Sequence, residues 1–239
     1  MNKKVIIIGA GPGGLTAGMI LSHRGFEVEI YEKDENIGGR NQPIKIDGYT
    51  FDTGPTFLML DFILKDVFDQ AGRDADDYLE FKKLDPLYRL QFKDKTIYPT
   101  TDRKKMKEQI AEAFPGNEKG FEKFMEKESK RFQKLFPCLQ KNYTHAGAFL
   151  DPIFIKAAPY LSATKTLFQN LGRYYGPEDL KISFTFQSKY LGMSPWHCPA
   201  LFTMLSYMEY EYGIYHVTGG LNRISEDMGK VVEENGGKI

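Results

Sequence analysis

The chain has 239 residues, with 32 acidic and 32 basic side chains and a hydrophobic content of 41%. This length and composition predict a mixed α/β protein that can bury a core, and the balanced charge excludes a global attraction to nucleic acid. The two cysteines, Cys138 and Cys198, are far apart and fit no metal or redox motif, so we expect free thiols in a reducing, cytoplasmic compartment.

The N-terminus enters an apolar strand directly after two lysines. No long apolar segment ends there in a small-residue cleavage site, so we expect no signal peptide. No run of about 18 apolar residues occurs anywhere in the chain, so we expect no bilayer-spanning helix.

The first strand, residues 5–8, leads into a glycine-rich turn with G-x-G-x-x-G spacing. Gly9 permits the tight turn, Gly11 lets a ligand approach the backbone, and Gly14 allows the following helix to pack against the strand. Pro12 suits the first helical turn, whose N–H groups and positive dipole end favour an anion. The sequence predicts that Gly9, Gly11, Pro12, Gly13 and Gly14 bind the diphosphate of a dinucleotide. The alternative is a strand-to-helix turn without a ligand.

A second predicted strand runs from Phe26 to Tyr31 and ends at Glu32. An acid about 20 residues after the glycines is placed to accept both ribose hydroxyls of the nucleotide, and it would repel a 2′-phosphate. The alternative is that Glu32 is a solvated strand end.

Further motifs continue the pattern: Glu32-Lys33, Gly38-Gly39-Arg40 and the run from Gly48 to Thr56. With them, the chain resembles the flavin amine-oxidase-like superfamily and, within it, the phytoene (carotenoid) desaturase family. A second set of segments resembles the same family in the same order: Phe184–Gln187, Leu191–Pro195, Glu211–Tyr215 and Gly219–Leu221.

The resemblance implies an FAD-binding Rossmann-like domain of the glutathione-reductase type, interleaved with a substrate domain. It also implies that FAD accepts a hydride while a C=C bond forms in a carotenoid-like isoprenoid. Beyond the glycine turn, the cofactor-binding residues that it implies are Glu32, Lys33, Gly39, Arg40, Gly54, Pro55 and Thr56. Arg40 would lie toward the flavin, although a solvated surface arginine is the alternative.

The pattern divides the chain into a dinucleotide domain of residues 1–75 and 212–239 and a substrate domain of residues 76–211. A helix is predicted near Leu60 to Ala71, short antiparallel strands over residues 79–100, and helices from Thr101 to about Tyr175. The chain then returns to the dinucleotide domain around Tyr212 to Val217.

The helical region is markedly apolar between Ala146 and Tyr175. Two interpretations stay open: ordinary core packing, or a monotopic surface that dips into one membrane leaflet and admits a water-insoluble polyene. On the second interpretation Lys156 and Lys165 face lipid headgroups.

Catalytic side chains cannot be assigned from the sequence. Asp151 lies in the apolar region, but Asp151-Pro152 also reads as a helix start. The Trp196-His197-Cys198 segment offers only two adjacent donors, so we expect no metal site.

A final helix is predicted over Leu221 to Glu234, with Lys238-Ile239 as the first step of another strand. Members of the resembled family are considerably longer, so we expect a truncated chain or a split protein with a separate second chain. Two other functions stay open: a flavin oxidase of amines or another small substrate, and a non-catalytic fragment that binds ADP or FAD.

Overall fold

The computed structural model describes residues 3–162 and 164–239. They form two compact units, one of residues 3–84 with Ile214–Ile239, the other of Asp85–Gly213. The units therefore divide after Leu84 and Gly213, whereas the sequence pattern had placed the boundaries at residues 75 and 211.

The first unit begins with a strand–helix–strand arrangement. Strand β1 (Lys4–Ile8) pairs in parallel with β2 (Glu27–Tyr31), and helix α1 (Pro12–His23) connects them. On the other side of β2, Lys238 pairs with Glu29, and the Ile30 N–H donates to the Lys238 carbonyl at 2.7 Å. The predicted strand start at Lys238 is thus present as a single bridge, with β2 between it and β1.

The described residues of this unit also form two further sheets and two further α-helices. Strands β3 (Pro43–Ile46) and β4 (Tyr49–Asp52) form a hairpin, and β5 (Leu58–Met59) precedes helix α2 (Asp61–Gln70). Strand β9 (Ile214–Val217) lies between β5 and β6 (Phe81–Lys83) and precedes α9 (Asn222–Glu234).

The position of β6 differs from the sequence expectation. Its residues were expected to begin the sheet of the second domain, but they pair with β9 in the first unit, Phe81 opposite Val217. Phe81 packs against the same apolar core as Val217, so its burial is satisfied in the first unit.

The second unit is mainly helical, as the pattern beyond Thr101 predicts. A short hairpin of β7 (Leu90–Gln91) and β8 (Thr96–Ile97) precedes six α-helices in the described residues of this unit. These are α3 (Arg103–Ala113), α4 (Glu118–Leu139), α5 (Pro152–Ala157), α6 (Leu167–Leu171), α7 (Glu178–Ile182) and α8 (Thr203–Tyr212). An aromatic core forms around Phe124, Phe184 and Tyr210. The ring centroid of Phe184 lies 5.0 Å from that of Phe124 and 4.9 Å from that of Tyr210.

The apolar segment after Ala146 is partly core and partly surface. Ala157 and Leu167 are buried, and Phe154 packs edge-on against Tyr143 and Phe149. Leu150, in contrast, is 74% exposed, and Ile155 is also exposed. Among the helices that the structure describes, none combines the length and the apolar character that crossing a bilayer requires.

Candidate functional site

The glycine turn after β1 is held in a shape that requires glycine at two positions. Gly9 has a φ of 98°, in the left-handed region, and its N–H donates to the Tyr31 carbonyl at 2.8 Å. A Cβ at Gly14 would lie 2.1 Å from the Gly9 carbonyl oxygen. Since no side chain fits at that distance, Gly14 allows the helix to begin directly against the turn.

The N-terminus of α1 carries no internal cap. Gly11 occupies the N-cap position without a side-chain hydrogen bond, Pro12 is the first helical residue, and the first turn contains no acid. The N–H groups of Gly13 and Gly14 precede the first intrahelical hydrogen bond, which Leu15 donates to Gly11. These donors and the helix dipole therefore form a ready site for an anion.

Helix α1 also lies very close to β2 and α9 because Gly18 faces both. A Cβ at Gly18 would approach the Ile30 Cδ1 to 2.7 Å and the Val232 Cγ2 to 3.2 Å. This close packing fixes the helix terminus at the carboxyl ends of β1 and β2.

Glu32 is half-buried at the end of β2 and accepts three backbone hydrogen bonds. The Ala10 N–H donates to Oε2 at 2.7 Å, while the N–H groups of Lys33 and Asp34 donate to Oε1 at 2.8 and 3.1 Å. These bonds, that of Ala10 first, hold the pKa of the Glu32 carboxyl below its usual value. A carboxylate has about four acceptor positions, so one remains on Oε2. Glu32 thus has room for one further donor, rather than the two that the sequence pattern suggested.

The surroundings of Glu32 are strongly acidic. A cleft of about 420 Å³ is lined by Glu32, Asp34, Glu35, Ile37, Glu226, Gly229, Lys230, Glu233 and Ile239. Lys33 does not line this cleft, and its ammonium pairs with Asp34 at 3.1 Å. Such a cleft suits neutral hydroxyl or amino donors and disfavours a phosphate.

The segment Gly38-Gly39-Arg40 packs directly against the glycine turn. The Gly38 N–H donates to the Ala10 carbonyl at 2.8 Å, and a Cβ at Gly39 would lie 3.3 Å from the Gly11 Cα. Both glycines have positive φ. Arg40 is exposed within the short 3₁₀ helix Gly39–Asn41.

A third loop packs against this segment at Gly54, and we call the edge that the three loops form the rim. A Cβ there would lie 2.1 Å from the Arg40 carbonyl oxygen, and the Thr53 hydroxyl donates to the Gln42 carbonyl at 2.8 Å. Pro55 and Thr56 follow on the surface. The structure therefore brings together three loops that are distant in sequence, residues 9–14, 38–42 and 53–56.

The sequence pattern missed how β4 is tied to α9. Asp52 accepts from the N–H groups of Leu221 at 3.2 Å and Asn222 at 3.4 Å, and thus caps the helix that begins after Gly219 and Gly220. The buried Ser225 Oγ, on the first turn of α9, has no hydrogen-bond partner among the described residues. Gly38 packs against the Ser225 Cβ, so this orphaned hydroxyl lies beside the rim.

The second unit contains a buried carboxylate that the sequence also did not reveal. Glu209 is 0% exposed and accepts from the Tyr88 hydroxyl at 2.9 Å, the Gln187 amide and the Tyr190 hydroxyl at 2.8 Å. Burial raises the pKa of the Glu209 carboxyl. Tyr88 and Glu209 are 121 positions apart, so no local motif could have indicated their contact.

A second buried carboxylate, Glu128, pairs with the Arg131 guanidinium one turn further along α4. Asn170 and the Tyr174 hydroxyl also donate to Glu128, and burial raises the pKa of its carboxyl. Both oxygens of each carboxylate are engaged, which is typical of polar groups that join helices.

Comparison with known proteins agrees with the arrangement of the first unit. The model of the flavin containing amine oxidoreductase family matches residues 12–239. The chain therefore belongs to the flavin containing amine oxidoreductase family, with its α/β fold and its flavin cofactor, as the motifs predict.

Among curated relatives, the 4,4'-diapophytoene desaturase (4,4'-diapolycopene-forming) of Methylomonas sp is 53% identical over 238 residues, which is 100% of this chain and 47% of that protein. The zeta-carotene-forming phytoene desaturase of Myxococcus xanthus is 30% identical, covering 98% of this chain and 46% of that protein. The chain thus spans about half the length of these relatives, and the resemblance to carotenoid desaturases is confirmed.

A solved structure of putrescine oxidase bound to putrescine has the same fold. It matches with a TM-score of 0.58 and 19% identity, and the match covers 100% of this chain and 51% of that protein.

Proposed function

We propose that the chain is the FAD-binding and substrate-contacting part of an oxidoreductase that introduces C=C bonds into a carotenoid-like isoprenoid. The observation that carries this proposal is the 53% identity with a diapophytoene desaturase, sustained over 238 residues of both units. Its second support is the uncapped helix terminus beside Glu32, which suits a dinucleotide.

The residues at the rim fit FAD. The N–H groups of Gly11, Gly13 and Gly14 would bind the diphosphate, with Gly9 shaping the turn and Pro12 beginning the helix. Glu32 would accept one ribose hydroxyl at its remaining position, in a cleft whose acids disfavour a 2′-phosphate. The other rim residues that we propose to contact FAD are Lys33, Gly39, Arg40, Gly54, Pro55 and Thr56.

When bound, FAD supplies the two-electron acceptor for removal of a hydride from an allylic carbon, while the adjacent carbon loses a proton and C=C forms. The protein's part is to position the reactants and exclude water. Arg40 is exposed at the rim, and its carbonyl lies close against Gly54. Its guanidinium would orient oxygen acceptors of the cofactor.

The substrate class requires a route from a lipid phase, and an apolar surface on the second unit suits it. Leu139 and Phe149 are exposed together with Leu150 and Ile155, next to the basic side chain of Lys156. We propose that this apolar surface (Leu139, Phe149, Leu150, Ile155) enters one membrane leaflet, with Lys156 and Lys165 at the headgroups.

Vesicle flotation tests this membrane proposal. We expect Leu150→Asn with Ile155→Asn to abolish flotation with anionic vesicles, because two of the apolar side chains that enter the leaflet are replaced by polar ones. Both side chains are exposed, so their replacement leaves the core intact. The matched control is Leu191→Asn with Met193→Asn, which changes two exposed apolar side chains elsewhere in the second unit. Equal flotation of both variants would contradict the proposal.

We further propose that another polypeptide segment, in this chain's extension or in a separate chain, pairs with the free edge of β1. Within the described residues β1 pairs with β2 alone, and Ile8 is 82% exposed. Parallel sheets are normally buried on both faces, and an open apolar edge favours addition of a strand. Slower hydrogen exchange of the β1 amides after addition of the complementary part of the Methylomonas desaturase would support this pairing.

The decisive experiment for the function is reconstitution of the chain with FAD, alone and with that complementary part. Bound flavin is measured by absorbance and by chromatography of the released cofactor, with Gly14→Ala as the non-binding variant and Gly13→Ala as its neighbour control. Anaerobic bleaching of the flavin by 4,4'-diapophytoene in micelles would support the proposed desaturase activity. Bleaching by a soluble amine instead would indicate an amine oxidase, and binding of ADP without flavin would indicate a non-catalytic fragment.

A further inference from the structure

A basic stripe on α4 is not explained by the proposed flavin chemistry. Lys123, Lys127 and Lys130 are spaced four and three residues apart, so they lie on one face of this helix. The opposite face, including Phe124 and Phe132, is buried. Like charges at this spacing destabilise a helix by about 0.2–0.5 kcal/mol per pair, unless an anion neutralises them.

The stripe borders a concave site. Lys127, Lys130 and Arg173 line a cleft of about 290 Å³ together with Glu128, Arg131, Pro159, Tyr160, Ser162 and Tyr174. An adjoining cleft of about 230 Å³ shares Lys127, Arg173 and Tyr174 and adds Lys123 and Glu126. The two clefts are thus lined by five basic and two acidic side chains.

The acidic side chains do not neutralise the exposed cations. Glu128 is bound to Arg131, and in the described part of the chain no ion pair within 4 Å is formed by Glu126 or by the cations Lys123, Lys127, Lys130 and Arg173. Their positive charge therefore remains available to a ligand from solution.

Arg131 gives the cleft a rigid floor. Its Nε donates to the Tyr160 carbonyl at 3.1 Å, its Nη1 to Glu128 and to the Ala200 carbonyl at 3.2 Å, and its Nη2 to the Ser162 hydroxyl at 2.8 Å. These bonds use four of the five guanidinium N–H groups. Ser162 has a φ of 50°, a strained conformation for serine, and its hydroxyl proton stays available because it accepts from Arg131.

We propose that this basic cleft binds a phosphate-bearing anion, with Lys127, Lys130 and Arg173 as the charged contacts and Arg131 with Ser162 at its floor. Guanidinium and ammonium groups make their strongest hydrogen bonds with such oxygens. The volume suits a small polar group, at the lower end of ligand sites. Two sources carry this chemistry: free inorganic phosphate or pyrophosphate, and the headgroup of an anionic phospholipid.

The test compares two double variants of the 239-residue chain. Lys127→Ala with Arg173→Ala removes two cations of the cleft, whereas Lys93→Ala with Lys105→Ala removes two exposed cations of the same unit that line neither cleft. Both variants change the net charge equally, and both replace exposed side chains, so both are expected to keep the thermal midpoint of the parent.

Binding is measured by titration calorimetry with phosphate and pyrophosphate, and by flotation with phosphatidylcholine vesicles with and without phosphatidylglycerol. We use low ionic strength, about 0.01 M, where screening extends to about 30 Å. We expect saturable binding that is weakened about tenfold or more in the cleft variant and unchanged in the control. Binding in the calorimeter identifies free phosphate as the source. Binding to anionic vesicles alone identifies the headgroup only where the cleft variant loses it and the control keeps it, since the apolar surface proposed above is intact in both variants. The proposal is overturned if the parent binds in neither arm or if the two variants bind equally.

Discussion

Glu32 in the first unit and Glu209 in the second each accept three hydrogen bonds, yet their carboxyl pKa values shift in opposite directions. Glu32 lies near the surface, where backbone N–H groups stabilise the charged form and lower its pKa. Glu209 is buried, and the loss of hydration raises its pKa although Gln187, Tyr190 and Tyr88 donate to it. At Glu209 the effect of desolvation on the pKa therefore outweighs that of the side-chain donors. At Glu32 the effect of the backbone donors outweighs that of desolvation.

The two carboxylates belong to different kinds of site. Glu32 lies at a site with open ligand-binding groups, whereas Glu209 lies in a closed network that joins helices. The rim around Glu32 leaves donors of α1 and one carboxylate position open, whereas the Glu209 and Glu128 clusters engage every carboxylate oxygen. Open groups at a helix terminus suit binding, and closed buried networks suit the specification of packing.

The largest effect is expected from breaking the buried ion pair. Arg131→Met leaves the Glu128 carboxylate buried without its cation, so we expect a loss of about 3–5 kcal/mol in the free energy of unfolding at neutral pH. Arg103→Met is the control, because its pair with Glu211 is solvent-exposed and should contribute less than about 1 kcal/mol. Urea unfolding of both variants measures the difference, and equal losses would refute the structural role of the buried pair.

A smaller loss is expected at the glycine turn. Gly14→Ala places a Cβ 2.1 Å from the Gly9 carbonyl, and we expect it to destabilise the chain by about 1–3 kcal/mol and to abolish flavin binding. At Gly13 a Cβ meets nothing within 4 Å, so Gly13→Ala should keep both properties. Thermal unfolding and the ratio of flavin to protein distinguish the two, and flavin retention by Gly14→Ala would contradict the proposed site.

The opposite pKa shifts predict opposite pH dependences. The lowered pKa of Glu32 contributes stability above its usual value of 4.5, and this contribution is lost as the pH falls through the folded-state pKa. The raised pKa of Glu209 contributes stability below 4.5, and this is lost as the pH rises through the folded-state pKa. The difference in thermal midpoint between the parent and Glu32→Gln should therefore increase with pH. The difference between the parent and Glu209→Gln should decrease with pH. Slopes of the same sign would show that the environments do not differ as described.

The smallest effect on stability is expected at the free edge of β1. Ile8→Thr replaces an exposed side chain, so the free energy of unfolding should change by less than about 0.5 kcal/mol. Self-association should decrease, because the substitution reduces the apolar surface beside an unpaired strand edge. Light scattering at rising protein concentration checks this, and unchanged association would argue against β1 as a docking edge.

Much of the first unit could be predicted from local sequence. The strand before Gly9, the helix after it and the strand ending at Glu32 follow from periodicity and glycine spacing, and all three are present. The predicted helices near residues 60–71 and 221–234 are also present. Local patterns suffice here because each element satisfies its own backbone hydrogen bonds and presents one apolar face.

The sequence by itself determined the family, the glycine turn and the acidic residue Glu32 at the end of the second strand. It could do so because the backbone conformation of the turn requires glycine at particular positions. Tertiary structure alone decided that Gly54 packs against the Arg40 carbonyl, that Asp52 caps α9 and that β6 pairs with β9 in the first unit. It also decided which charges are buried, as at Glu209, and which cations of the described residues line a cleft without an ion pair, as at Lys127 and Lys130. These outcomes depend on contacts between residues far apart in the chain, and periodicity carries no information about such distances.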